Sequence, residues 1–256
     1  IAQRVSDQDV IAVSIQSFGF GDIDITTVDL PEGGIGTFSP RYNIFNVGYA
    51  REFSNSIYGG INLKVINEAI ANLKATGVAI DAGIRYVTGE RDQIKFGIAL
   101  KNVGPTMRFK GDGLATQINY VSTGAQSTLE QRSASFEMPS SLNIGGSYDF
   151  LFGERNKLIV AAAFQANSFS TDQYAVGLDY GFTSDKAAFN VRAGYVMEKN
   201  SFDAEARTNA LTGLTAGASV DVLLGAKKSA MGIEYAVRLS SPFGPIHTIG
   251  ATISLK

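Results

Sequence analysis

Cysteine and tryptophan are absent from this 256-residue chain, and His247 is its only histidine. Without thiols there are no disulfides and no thiolate metal centres. One imidazole leaves little for hydrolytic triads or transition-metal sites, which lean on histidine. Only 18% of the residues are charged, against about 25% in soluble domains, so polar surface is scarce. No run approaches the roughly 20 apolar residues of a spanning helix, and the mean hydropathy is only +0.05, which excludes a helical membrane protein. A net charge of −2 gives no electrostatic footprint for nucleic acid. The chain opens on Ile1, which is not a start residue, so export is not read directly from it.

What the chain does have is alternation. From 173 to 182, Tyr174, Val176, Leu178, Tyr180 and Phe182 fall on one side and Gln173, Ala175, Gly177, Asp179 and Gly181 on the other. The same period of two runs from 77 to 86, with Val78, Ile80, Ala82, Ile84 and Tyr86 opposite Gly77, Ala79, Asp81, Gly83 and Arg85. Strands of about ten residues, apolar on one face and small or charged on the other, suit a barrel wall between lipid and lumen. Alternation and turn residues together predict twelve strands, near 9–23, 41–52, 56–66, 76–88, 93–104, 140–151, 157–167, 172–183, 187–198, 211–224, 229–240 and 246–256. Every second connection is short and polar, while 24–40, 67–75, 104–139 and 198–210 are longer. Such sorting is the mark of an outer-membrane barrel. The fold class expected is therefore all-β, a transmembrane antiparallel up-and-down β-barrel, one domain over 1–256 in the cell outer membrane.

The polar face carries acids and bases interleaved: Asn62, Lys64, Asp81, Arg85, Lys95, Lys101, Asn143, Asp149, Asp179, Asn190, Arg192, Asp221, Glu234 and Arg238. Charges taken out of bulk water need partners, so these are expected to cross-link the lumen. Asp81 and Arg85 are too far apart along one strand to pair, about 13 Å. A hairpin through 88–93 places Asp81 opposite or diagonal to Lys101 and Arg85 near Lys95 or Gly97. His247 shares parity with Ile249, Ala251 and Ile253 and is expected to face lipid. The residues 67–74 have some helical propensity through Glu68, Ala69, Ala71 and Leu73. The segment bounded by Gly104 and Pro139, rich in Ser, Thr, Gln and Gly, reads as a cap or a partner-binding loop, and the loop from Glu198 to Ala210 as a second partner-binding candidate.

Chemistry is sparse. There is no G-x-S-x-G elbow and no Walker loop, and Gly19-Phe20-Gly21 lacks the third glycine of a dinucleotide fingerprint. Asp112, between Gly111 and Gly113, lacks the spaced carboxylates of a calcium loop. No catalytic, cofactor or metal residues are assigned, and no enzyme is expected.

Three runs carry a resemblance: Gly59-Gly60-Ile61-Asn62-Leu63-Lys64-Val65-Ile66, then Ala75-Thr76-Gly77-Val78-Ala79-Ile80-Asp81-Ala82-Gly83-Ile84-Arg85-Tyr86, then Phe96-Gly97-Ile98-Ala99-Leu100-Lys101-Asn102-Val103-Gly104-Pro105. So do Met138-Pro139-Ser140-Ser141-Leu142-Asn143-Ile144-Gly145, Asn167-Ser168-Phe169-Ser170-Thr171-Asp172-Gln173, and Pro242-Phe243-Gly244 before His247-Thr248-Ile249-Gly250. In order and spacing they resemble the PorV/PorQ family of FadL-like outer-membrane proteins, and the second half is most similar to its PorV branch. The resemblance implies a fourteen-stranded barrel with an N-terminal hatch, the hatch and first strands then lying upstream of Ile1. It also implies a part in type IX secretion. Such members accompany the translocon barrel, accept exported cargo through its C-terminal signal domain, and deliver it to a surface attachment complex containing a sortase. A FadL-like channel for hydrophobic small molecules and a purely structural barrel are the alternative readings.

Overall fold

A computed structural model describes all residues except 120–125, 200, 202–208, 212, 225–228, 242 and 255–256. Among the described residues the regular structure is all strand apart from one 3-10 turn at Asp112–Leu114, and no helix is long and apolar enough to cross a membrane. In chain order the strands are β1 (Ala2–Arg4), β2 (Asp9–Gly19), β3 (Ile23–Asp24), β4 (Thr37–Phe38), β5 (Arg41–Ser54), β6 (Ile57–Ile70), β7 (Leu73–Thr88), β8 (Ile94–Val103), β9 (Met107–Arg108), β10 (Ala115–Asn119), β11 (Gln126–Glu130), β12 (Ser135–Phe136), β13 (Ser141–Phe152), β14 (Asn156–Asn167), β15 (Gln173–Thr183), β16 (Ala187–Glu198), β17 (Gly213–Leu224), β18 (Ser229–Arg238) and β19 (Ile246–Ser254). The main sheet runs β1-β2-β5-β6-β7-β8-β13-β14-β15-β16-β17-β18-β19, so the long strands follow sequence order as an up-and-down meander. The twelve expected strands are all present.

Two compact units divide the chain. One holds Ile1–Glu52, Gly59–Ala82 and Lys101–Pro139; the other holds Phe53–Tyr58, Gly83–Leu100 and Ser140–Lys256.

In the second unit the alternation becomes an exposure pattern. Val176, Leu178 and Tyr180 are 49%, 51% and 46% exposed, whereas Ala175, Gly177 and Asp179 between them are half-buried. Ile233 and Ile249 on neighbouring strands are also bare. Leaving one such side chain in water forfeits roughly 1.5–3 kcal/mol relative to burial. A row of them on every strand therefore demands a hydrocarbon solvent on that side, the reverse of a soluble sandwich. His247 is exposed on this apolar face, where the Tyr235 hydroxyl lies 2.6 Å from its Nδ1.

The first unit holds the buried apolar cluster. Ile66, Ala75, Ala79, Met107 and Met138 are its centre, with Tyr42, Ile44, Phe109 and Phe136 packed around it. It lies on the face opposite exposed Val78 and Ile80, that is, on the inner face. Met107 is 1% exposed because Gly77 leaves room for it: a Cβ at Gly77 would stand 2.6 Å from Met107 Cγ and Sδ.

One sequence expectation is corrected here. The connection expected over 67–75, with its weak helical propensity, is a tight turn: β6 runs to Ile70, β7 starts at Leu73, and Ala71 takes a positive φ of 47°. Cross-strand bonding extends the hairpin, since Thr76 Oγ1 donates to Asn67 Oδ1 at 2.9 Å, so one member of the longer set of connections is in fact short. The described part of the span 104–139 carries structure of its own. It forms the β9–β12 and β10–β11 pairs, exchanges backbone hydrogen bonds with Lys74 through Lys110, and sinks Met107 and Met138 into the cluster.

Candidate functional site

In the first unit the inner face carries a chain of polar contacts across successive strands. The amide Nδ2 of Asn46 donates to Ser14 Oγ at 3.0 Å. Asn62 Nδ2 reaches both Asn46 Oδ1 and Asp81 Oδ2 at 3.3 Å. Lys64 Nζ sits 2.7 Å from Asp81 Oδ2 and donates to Asn102 Oδ1 at 2.8 Å. The other oxygen of Asp81 accepts the backbone N–H of Asn102 at 2.8 Å. Asn102 has a φ of 58°, and the exposure pattern of β8 shifts there, with Lys101 exposed and Asn102 half-buried. The backbone irregularity brings Asn102 to Asp81, and the ammonium group that neutralises Asp81 is that of Lys64, not of Lys101.

The second unit carries two ionic clusters. Asp149, 6% exposed, is gripped by Lys95 and by Lys157, the latter at 2.7 Å. Its Oδ1 has no hydrogen-bond partner among the described residues. An isolated buried carboxylate costs several kcal/mol, which the paired ammonium groups offset. The second cluster is Asp179–Arg192–Glu234: Arg192 Nε is 3.0 Å from Asp179 Oδ2 and its Nη1 3.7 Å from Glu234 Oε2. Asp179 and Arg192 are direct cross-strand partners.

Of the other sequence-predicted residues, Arg85, Lys101, Asp221 and Arg238 make no ion pair among the described residues. Asn143 bonds Ser141 Oγ at 3.1 Å and Asn190 bonds Ser219 Oγ at 3.4 Å. Gly83 faces Ala99, whose Cβ would lie 3.2 Å from a Cβ on the glycine. The segment ends are tied down: Pro139 O accepts from Asn102 Nδ2 at 2.9 Å, and a Cβ at Gly104 would strike Val78 O. Glu198 is buried, its carboxylate held by Thr171 Oγ1 and by the Asn209 N–H. Ala210 O accepts from the Ser241 N–H at 3.2 Å. Most of the loop from Glu198 to Ala210 lies outside the described residues.

The register of the second unit stacks the inner side chains in rows. Asn143, Gln165, Gln173 and Glu198 form one row, at the end of the strands that bears the longer connections. Next come Gly145, Ala163, Ala175, Val196 and Gly213, then Ser147, Ala161, Gly177, Gly194, Thr215 and Arg238. The row after that holds Asp149, Ile159, Asp179, Arg192, Gly217 and Ala236. Two rows made mostly of small side chains, Val196 and Arg238 apart, between an amide row and a charged row leave open space. It is a cavity of about 760 Å³, walled by alanine, glycine, threonine and larger apolar residues such as Ile159, Tyr195 and Leu211, with Asp179, Arg192, Glu234 and Arg238. A second cavity of about 400 Å³ adjoins it toward the amide row, lined by Asn143, Gln165, Asn167, Ser170, Gln173, Asn209 and Arg238. Sequence reasoning singled out Arg238 and Asn143 but missed Gln165, Asn167 and Gln173. Their signal was available, as uncharged amides at inner-face parity near one end of two adjacent strands.

No family model matches the chain, and no curated protein matches it. Solved structures do. The TodX ΔS2S3 mutant, described as a monoaromatic hydrocarbon channel, is 12% identical with a TM-score of 0.59, over 99% of this chain and 80% of that one. A Pseudomonas aeruginosa FadL homologue is 10% identical with a TM-score of 0.55, over 98% and 74%. The toluene transporter TodX of P. putida is 12% identical with a TM-score of 0.54, over 98% and 78%. At these identities the likeness speaks to fold alone. The chain has the fold of FadL-like outer-membrane β-barrels, and its bare apolar face suits that membrane.

Proposed function

We propose that this barrel is a non-enzymatic component of type IX secretion that binds exported proteins at the translocon barrel through their C-terminal signal domain and passes them to a sortase-bearing attachment complex. The resemblance to the PorV/PorQ family over nearly the whole chain supports this reading. The structural observation that carries it is the span from Gly104 to Pro139: two buried methionines and main-chain bonds anchor it, so it presents its β10–β11 hairpin from a fixed base, as a docking surface requires. The test is co-purification. Tagged barrel extracted in mild detergent is expected to bring down a translocon barrel, secreted proteins and a sortase, and removal of residues 111–131 is expected to weaken cargo recovery. Recovery of none of these partners from wild type would overturn the proposal.

A second reading, a conduit for hydrophobic small molecules, is favoured by one observation: the cavity of about 760 Å³ is walled mainly by apolar residues, alanine and glycine together with Ile159, Tyr195, Leu211 and Ile246, a size and character suited to a small apolar ligand. Reduced uptake of toluene or a long-chain fatty acid in a deletion strain, with secretion intact, would favour this second reading over the first.

A further inference from the structure

From the paired cavities of the second unit we infer a binding site for the free carboxyl end of an extended peptide, with Arg238 as its anion anchor. The inference rests on the proposed role in receiving exported proteins and gives that role a place and a chemistry. Arg238 lines both cavities and makes no ion pair or side-chain hydrogen bond among the described residues. Its register partners are Thr215 and Ile246, which bring no charge. A guanidinium is always ionised and offers five donors in a fork that fits a carboxylate. By contrast, Arg192 is already committed to Asp179 and Glu234. The anion site is therefore Arg238 alone.

What surrounds Arg238 decides which anion. On one side stand Asn143, Gln165, Asn167 and Gln173, side chains that both donate and accept and so complement a peptide backbone, whose amides do the same. On the other side is the space walled by Ala161, Gly177, Gly194 and Gly217, which accepts an apolar side chain. A chain entering past the amide row sets its terminal carboxylate on Arg238 and its last side chain into the alanine and glycine hollow. The Asp179–Arg192–Glu234 cluster, with two acids to one base, bars a carboxylate from going deeper. Asn143 Nδ2 donates to Ser141 Oγ, Gln165 Nε2 to Asn167 Oδ1 and Asn167 Nδ2 to Thr171 O, so a fatty acid would use Arg238 and the hollow but would leave Gln173 and the remaining donors and acceptors of these amides unanswered, which weakens binding.

The experiment uses purified full-length barrel in detergent and a fluorescein-labelled decapeptide ending in leucine, as free acid and as C-terminal amide. The free acid is expected to bind about tenfold or more tightly than the amide, the worth of one charge-assisted contact. Arg238→Gln is expected to remove that preference and Arg238→Lys to keep part of it, with both variants migrating as folded barrels. Equal binding of acid and amide, or a preference that survives Arg238→Gln, would overturn the site. Displacement of the peptide by dodecanoate at concentrations well below the peptide's own Kd would overturn the peptide class. Cargo recovery from cells separates the two levels: cargo captured with no acid preference removes this site alone, whereas an acid preference without cargo capture keeps the site and removes the secretion role.

Discussion

Lys64 Nζ lies 2.7 Å from Asp81 Oδ2, and both side chains are less than one-fifth exposed. The same ammonium donates to Asn102, whose own N–H returns to Asp81, so three strands are tied on the inner face at one point.

Breaking this tie on one side leaves a charge without its partner. Lys64→Ala is expected to lower stability by about 3 kcal/mol, between the worth of a charged hydrogen bond and that of a fully buried pair. The double variant Lys64→Ala with Asp81→Ala is expected to lose less than the two single losses added. Urea unfolding in detergent, followed by the heat-dependent shift in gel mobility, measures both. Strict additivity would mean that the pair is not coupled.

Asp149 holds two ammonium groups of unequal exposure, Lys95 at 22% and Lys157 at 41%. Because solvent screens the more exposed partner, Lys95→Met is expected to destabilise more than Lys157→Met. Asp149→Asn, which leaves both lysines facing each other, is expected to be the most harmful of the three. Thermal unfolding midpoints rank them, and the opposite order of the lysine variants would contradict the assignment.

Met107 is the anchor of the span between Gly104 and Pro139. Truncation to alanine empties a closed site and is expected to cost about 2–4 kcal/mol of local stability. Gly77→Val reaches the same end by occupying the methionine's space. Limited proteolysis of intact cells is the assay: both variants should be cut faster within this span than wild type, and unchanged cleavage would show that the anchor does not hold it.

Strand existence was legible in the sequence because period two reports directly on which face is bare, and the run from Tyr174 to Phe182 reads identically in the structure. Turn length was less legible. The Ala71–Asn72 connection looked like a longer loop because Glu68, Ala69 and Ala71 favour helix, while the cross-strand bond from Thr76 to Asn67 that extends the hairpin is a tertiary fact. The partner of Asp81 was missed for a similar reason. A local change at Asn102 breaks strict alternation, and no composition rule marks it. The cavity was invisible as a volume. Its small residues were read only as an enclosed face, and the alignment of Gly177 with Gly194 and of Gly145 with Ala163 needs the register.

Direction of the faces makes the last mutational prediction. Leu178→Arg, on the bare apolar side, is expected to cost roughly 2–4 kcal/mol near mid-membrane and to reduce the amount of folded protein in the outer membrane. Ala175→Arg, pointing into the cavity, is expected to insert normally. Quantifying heat-modifiable protein in isolated outer membranes compares them, and equal loss from both would contradict the assignment of the faces.

The orientation of the sheet is best read residue by residue. The chain contains no cysteine, so single-cysteine variants at each position from 173 to 182 can carry a spin label in reconstituted bilayers without background. Oxygen, which concentrates in lipid, is predicted to reach labels at 174, 176, 178, 180 and 182, while a water-soluble nickel complex is predicted to reach 173, 175, 177, 179 and 181. The same alternation with the two reagents exchanged, or no alternation at all, would contradict the account.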